Sequence, residues 1–193
     1  SKPVKKNSSI DRKDEISQKI KSSNHSLVID DKSTFIMSRE LQNYLFTVEN
    51  ILESYVEYKN KLSDFLTRRT ETQFLKNSVE LDILSENLWN DRINFNNKIN
   101  NVTLDEREED FINNFFGYVT SLYKTINQLS YIFKKYQRVK EKKIIYDESD
   151  YNKDQKLYLQ LIEEYQTKGN YVNSLLEKMM IQEPIPFDQK IKN

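Results

Sequence analysis

Apolar residues recur at seven-residue intervals along most of the chain. A second series of apolar residues follows the first by three positions and forms a second line on the helix. This spacing places both lines on one face of an α-helix, and a third apolar position per heptad makes that face wider than a two-stranded coiled-coil seam. The first helix has Leu41, Val48, Tyr55 and Leu62 on one line and Tyr44, Ile51, Tyr58 and Phe65 on the other. The pattern predicts a bundle helix over 34–68.

The same spacing predicts three more helices, over about 71–101, 104–143 and 153–181. The segment 104–143 has the most regular stripe. The segment 71–101 has the least regular one, because polar side chains fall on its second line. It can form a separate helix or continue the first helix without a turn. The polar residues on that line are Asn77, Asp91 and Lys98.

Two threonines match the capping-box pattern, in which a hydroxyl and a side chain three residues later satisfy the free N–H groups of a new helix. Thr70 is followed by Gln73, and Thr103 by Glu106. These pairs predict the starts of the second and third helices. The polar segment 147–152 is predicted to connect the third helix to the fourth.

Composition supports helices joined by few connections. The chain of 193 residues has 2 glycines and 3 prolines, and no proline lies between positions 4 and 183. Sheets and tight turns use far more of both residues. We therefore expect an all-α fold, an elongated antiparallel up-down bundle of about four long helices. Residues 1–32 are expected to form a flexible, disordered polar arm, 33–183 the helical bundle and 184–193 an extended tail.

Charge and chemistry exclude several classes of function. The formal net charge is +0, which does not favour nucleic acid, and there is no cysteine. The only histidine, His25, lies in the polar arm without a catalytic or metal-binding pattern around it. We expect no enzyme activity, cofactor, metal site or small-molecule substrate. The expected location is cytoplasmic, with peripheral attachment to a membrane as the alternative.

Basic residues cluster where the first and third helices are predicted to end. Cations at a helix C-terminus also complement the helix dipole, which is a purely structural explanation. In an up-down bundle both ends lie at the same pole, although the acidic 147–154 segment weakens the field there. We name this candidate partner-binding surface the basic pole. It comprises Arg68, Arg69, Lys134, Lys135, Arg138, Lys142 and Lys143.

Four aromatic residues fall off the predicted stripes. Exposed aromatic side chains are candidate hot spots for a protein partner, whereas an error of one position in helix phase would bury them. They are Phe46, Trp89, Tyr118 and Tyr131.

These features favour a non-enzymatic interaction module, an adaptor, tether or scaffold that binds another protein, either helical or a short peptide segment. The coarse pattern of long helices and a basic tip is also similar to BAR domains, a resemblance that implies a dimeric helical domain bound to an anionic membrane surface. A three-helix SNARE-regulatory bundle offers a further coarse likeness.

Overall fold

The computed structural model describes residues 38–181. Within this range the chain forms four helices, which confirms the predicted all-α bundle. The predictions for the arm 1–32 and the tail 184–193 lie outside the described residues. The helices are α1 (Arg39–Arg68), α2 (Phe74–Ile99), α3 (Glu106–Lys140) and α4 (Glu148–Ile181).

Helix α1 has a defined cap at each end. The Ser38 hydroxyl accepts a hydrogen bond from the Leu41 N–H at 3.2 Å. At the other end Arg69 adopts a left-handed conformation with φ 54°, and its N–H donates to the Phe65 carbonyl at 3.0 Å. This turn separates α1 from α2, so the alternative of one continuous helix is wrong.

Both predicted threonine capping boxes are wrong. Helix α2 is capped by Gln73 without a side-chain hydrogen bond, and the Thr72 hydroxyl donates instead to the Thr70 carbonyl at 3.1 Å. Helix α3 has a capping box two residues later than predicted. There the Asp105 carboxylate accepts from the Glu108 N–H at 2.8 Å, and Glu108 accepts from the Asp105 N–H at 3.4 Å. A carboxylate is a stronger acceptor than a hydroxyl at a helix N-terminus, where it also complements the dipole.

Helix α4 begins earlier than its apolar stripe indicates. The Asp147 carboxylate accepts from the Asp150 N–H at 2.9 Å, and the Asp147 carbonyl accepts from the Tyr151 N–H at 2.9 Å. The polar segment predicted as a connector therefore forms the first turn of α4. Acidic residues are favourable there because the N–H groups of the first turn have no partner within the helix.

Cross-helix hydrogen bonds fix an antiparallel up-down arrangement. Ser130 of α3 donates to the Ser78 carbonyl of α2 at 3.1 Å, and the Gln128 side chain of α3 donates to the Asp154 carbonyl of α4 at 3.2 Å. Residues late in α3 thus meet residues early in α2 and α4. Helix α1 reaches α4 through the Tyr55 and Tyr158 hydroxyls, which are 2.6 Å apart.

Helix α3 is the central element, about 50 Å long at its 35 residues. It packs on α2 through Phe133 and Phe74, whose ring centroids are 6.1 Å apart. On its other side the Thr125 hydroxyl donates to the Leu161 carbonyl of α4 at 3.2 Å. Its buried residues consequently cover much more of the helix surface than one stripe. They are Glu108, Phe111, Ile112, Phe115, Phe116, Tyr118, Val119, Ser121, Leu122, Thr125, Ile126, Leu129, Ser130, Ile132 and Phe133.

Helix α1 covers the remaining side of the core with large aromatic side chains. Tyr44 stacks on Phe95 of α2 at 4.4 Å and meets Phe115 of α3 edge-on at 5.3 Å. Where α3 and α4 approach closely, Gly169 leaves room for the Tyr118 ring: a Cβ on Gly169 would lie 3.1 Å from Cε2 of Tyr118, so the ring would have to shift by a few tenths of an ångström. Tertiary contacts of this kind, rather than helix propensity alone, stabilise the fold.

Buried tyrosines make the core sensitive to alkaline pH. Burial raises the pKa of Tyr44, Tyr55, Tyr118 and Tyr158 above the ordinary value of 10.0. Because the folded state holds these protons more tightly than the unfolded state, their contribution to stability is complete below pH 10 and is lost as the pH rises beyond it. We expect the part of the tyrosinate absorbance that comes from these four residues to appear together with the loss of helical circular dichroism, above pH 10. Ionisation of every tyrosine near pH 10 with the helices intact would contradict this burial.

Candidate interaction surfaces

The structure brings the ends of α1 and α3 together at the basic pole, on a base of aromatic rings. Phe65 of α1 lies 4.9 Å from Phe74 of α2 and 5.0 Å from Tyr136 of α3, measured between ring centroids. Tyr136 also contacts Tyr146, in the connection to α4, at 5.4 Å. One aromatic cluster therefore joins the end of α1, the start of α2, the end of α3 and the connection to α4.

Lys135 is a structural residue of this pole. Its Nζ lies 2.7 Å from Asp154 of α4, and the two side chains are 17% and 9% exposed. Tyr146 donates to the same Asp154 oxygen at 2.7 Å, and Lys135 lies 5.0 Å from the centres of the Tyr131 and Tyr146 rings. Burial lowers the pKa of Lys135, but hydrogen bonds to Asp154 and Tyr131 and the Asp154 charge outweigh it and raise the pKa. The charge of Lys135 is thus neutralised by Asp154 within the fold.

Two other lysines of the pole are also paired, but at the surface. Lys134 lies 2.6 Å from Asp82 of α2, with side chains 48% and 45% exposed. Lys143 lies 2.6 Å from Glu141. Exposed pairs of this kind contribute little to stability and leave the cation accessible to a partner.

The remaining basic residues of the pole are exposed, and two of them lie in turns. Arg69 has φ 54° and Lys142 has φ 57°, left-handed conformations that usually favour glycine. The Lys143 N–H donates to the Arg138 carbonyl at 2.9 Å and the Lys142 N–H to the Val139 carbonyl at 2.9 Å, which is the Schellman arrangement at a helix end. Arg68 and Arg138 are exposed in the last turns of α1 and α3. Acidic Asp147, Glu148 and Asp150 are exposed at the same pole, so the surface is mixed in charge.

The off-stripe aromatic residues divide between core and surface. Tyr118, predicted as a candidate partner contact, is only 3% exposed and lies 6.0 Å from Phe115 and 6.4 Å from Tyr165. It is a core residue, because α3 is covered on more sides than a single stripe implies. Tyr131 is the one of the four that is exposed, at 44%.

The other two off-stripe aromatics are partly buried. Trp89 packs against Tyr123 at 4.8 Å and beneath the Arg92 guanidinium at 5.0 Å. Phe46 packs against the edge of the hydrophobic core. Neither forms a free aromatic anchor.

An apolar line on the solvent side of α2 was not identified from the seven-residue pattern. Leu75, Val79 and Ile83 are 56%, 48% and 53% exposed. Their spacing of four residues places them on one ridge of the helix, and Ile93, five turns beyond Leu75, lies at the same angle and is 42% exposed. The sequence signal was this second line of apolar residues, which lies opposite Leu81 and Leu88. We call Leu75, Val79, Ile83 and Ile93 the α2 outer face.

The inner side of the same helix is diluted with polar groups. Asn77, Ser78 and Ser85 are buried, and the two serine hydroxyls donate to the Leu75 and Asp82 carbonyls at 2.7 and 3.0 Å. Leu81 and Leu88 are the buried apolar residues of this side, so α2 carries apolar residues on both its inner and its outer side. An exposed row of large aliphatic side chains on a regular helix is a feature of interaction surfaces.

Neither a metal centre nor a membrane span accompanies these surfaces in the described range. Among residues 38–181, no three His, Cys, Asp or Glu residues are grouped so that they could hold a metal ion. None of the four described helices is both long and apolar enough to cross a membrane. No protein-family model matches the sequence, and no curated protein or solved structure shows significant similarity to it.

The adjacent lysines of α3 should differ in their effect on stability. We expect Lys135→Met to lower the free energy of unfolding by about 1–3 kcal/mol, because it leaves the buried Asp154 carboxylate without its cation. Lys134→Met removes an exposed pair and should cost less than about 1 kcal/mol. Urea unfolding at neutral pH measures both. Equal losses would show that Lys135 is not a structural residue.

Proposed function

We propose that this chain is a non-enzymatic protein-interaction module, an adaptor or scaffold that contacts its partner through the α2 outer face. The observation that carries the proposal is the exposed apolar ridge of Leu75, Val79 and Ile83. A partner helix with apolar residues at similar spacing would pack into the grooves beside this ridge. The antiparallel bundle behind it provides a rigid support.

The surroundings of the ridge suit an interface with an apolar centre and a polar rim. Lys76 and Glu80 flank it on one side, with side chains 66% and 36% exposed. Asp82 and Lys134 flank it on the side of α3. Charged rims of this type orient a partner and contribute to the association rate, while the apolar centre supplies most of the affinity.

The shifted tyrosines support a structural role rather than catalysis. The pKa values of Tyr55 and Tyr158 are raised mainly by burial, so both side chains stay protonated at neutral pH. A catalytic base would need the opposite shift and access to a substrate. Burial and the hydrogen bond that its hydroxyl donates to Glu80 raise the pKa of Tyr58 to about 12, so this side chain also stays protonated at neutral pH.

A membrane-bound, BAR-like module is the second candidate. The observation in its favour is the set of exposed cations at the basic pole, which includes Arg68, Arg69, Arg138 and Lys142. The same pole exposes acidic residues from the start of α4, which weakens attraction to an anionic surface. We therefore favour the protein partner.

Affinity purification of the full-length protein from its own cells tests this proposal. Val79→Asp combined with Ile83→Asp should reduce recovery of the specific partner at least about tenfold, because a charge would be buried at the centre of the interface. Leu159→Asp, at a site 62% exposed on α4, is the matched control and should retain the partner. Circular dichroism verifies that each variant is folded.

The same preparations are mixed with anionic vesicles and sedimented. Equal recovery of the partner by the Val79→Asp/Ile83→Asp variant and by the Leu159→Asp control would overturn the assignment of the α2 outer face. Vesicle binding by the unaltered chain that is lost when Arg68, Arg69, Arg138 and Lys142 are reversed to Glu would favour the membrane candidate instead.

A further inference from the structure

We infer that the α2 outer face binds a second copy of this chain, with the two α2 helices antiparallel and crossing at Val79. This inference rests on the proposed function in that it uses the same surface, and it names the occupant. Leu75, Val79 and Ile83 form a ridge of the i, i+4 type, and two such ridges interlock when helices cross at about −50°.

The ridge is symmetric about its central residue. A two-fold axis at Val79 places Val79 against Val79 of the second copy and Leu75 against Ile83 of the second copy. The two ends of the ridge are similarly exposed, at 56% and 53%, so each large aliphatic side chain meets one of comparable size. An isologous contact of this kind closes on itself and produces a dimer rather than a filament.

Charge distribution selects the antiparallel orientation. Exposed Glu86 lies beside the Ile83 end of the ridge, where Lys134 already neutralises Asp82. At the Leu75 end are Lys76 on α2 and Arg138 on α3, both exposed. Antiparallel packing brings Arg138 of one copy towards Glu86 of the other, whereas parallel packing places each of these charges beside its own counterpart.

The antiparallel packing of α3 on α2 indicates which charges meet. Phe74, the first residue of α2, contacts Phe133 and Tyr136 of α3, so Arg138 lies level with the start of α2. A crossing at Val79 sets Phe74 opposite Leu84 of the second copy, and it sets Arg138, two residues beyond Tyr136, level with Glu86 of that copy. Arg138 and Glu86 of the second copy are therefore the expected ion pair, formed twice in the dimer.

The contact area is modest, because three large side chains from each copy form its centre. Interfaces at the small end of the range associate weakly and reversibly. We expect a dimer with a Kd on the order of 10–100 µM. The surface would then be exposed in the monomer at low concentration and covered in the dimer at high concentration.

Sedimentation equilibrium of the full chain between about 1 and 500 µM tests this inference. The unaltered chain should change from monomer to dimer, and Val79→Asp should raise the Kd at least about tenfold. Leu159→Asp should leave the Kd unchanged. A chain that stays monomeric throughout, or a dimer that tolerates Val79→Asp, would overturn the inference.

Charge exchange tests the orientation. Arg138→Glu and Glu86→Lys should each weaken the dimer several-fold, and the double variant should restore it because both ion pairs are re-formed with reversed polarity. Failure of the double variant to recover would overturn the antiparallel arrangement.

If the chain is monomeric but Val79→Asp with Ile83→Asp still loses a captured protein, the inference falls and the proposed function stands. If the chain dimerises through Val79 and no other protein depends on this face, the inference stands and the adaptor function falls.

Discussion

The burial of α3 on several sides is the constraint on which the rest of the structure depends. Its side chains toward α2, such as Phe133, and those toward α4, such as Thr125, are completely buried. Such a helix is stable only when other helices cover it, because its exposed apolar surface would otherwise remain in water. Helices α2 and α4 supply this cover, each packed antiparallel to α3. Helix α1 closes the core with Tyr44 and Tyr55. The solvent side of α2 is the consequence: its inner face is committed to α3, and its apolar outer face has no covering element in residues 38–181.

Seven-residue spacing predicted the number, order and approximate length of the helices because burial on one face repeats with the helix turn. It was less informative where a helix is covered on two sides. Tyr118 lies off the stripe of α3 and is nevertheless in the core, and Gly169 beside it allows the close approach of α4. The capping predictions failed for a local reason. Thr103 and Asp105 both precede an acidic residue at the correct interval, and backbone geometry, which the pattern does not contain, selected Asp105.

The candidate surfaces depend on tertiary pairing that spacing cannot reveal. Lys134 and Lys135 are adjacent in sequence, yet one forms an exposed pair with α2 and the other a buried pair with α4. Their partners, Asp82 and Asp154, are distant along the chain. Within the basic pole, Lys135 consequently stabilises the fold, whereas Lys134 is exposed at the surface. Leu75, Val79 and Ile83 were recognisable as a second apolar line in the sequence, but only the structure shows that this line faces solvent.

The central claim is that the α2 outer face is a contact surface between copies of this chain rather than a neutral part of the exterior. Methyl-selective NMR of the full chain at increasing concentration tests it residue by residue, with Leu157 and Leu159 of α4 as exposed references. We expect concentration-dependent shifts for the methyl groups of Leu75, Val79 and Ile83 and unchanged signals for the two references. Shifts confined to α4, or none on α2, would contradict it.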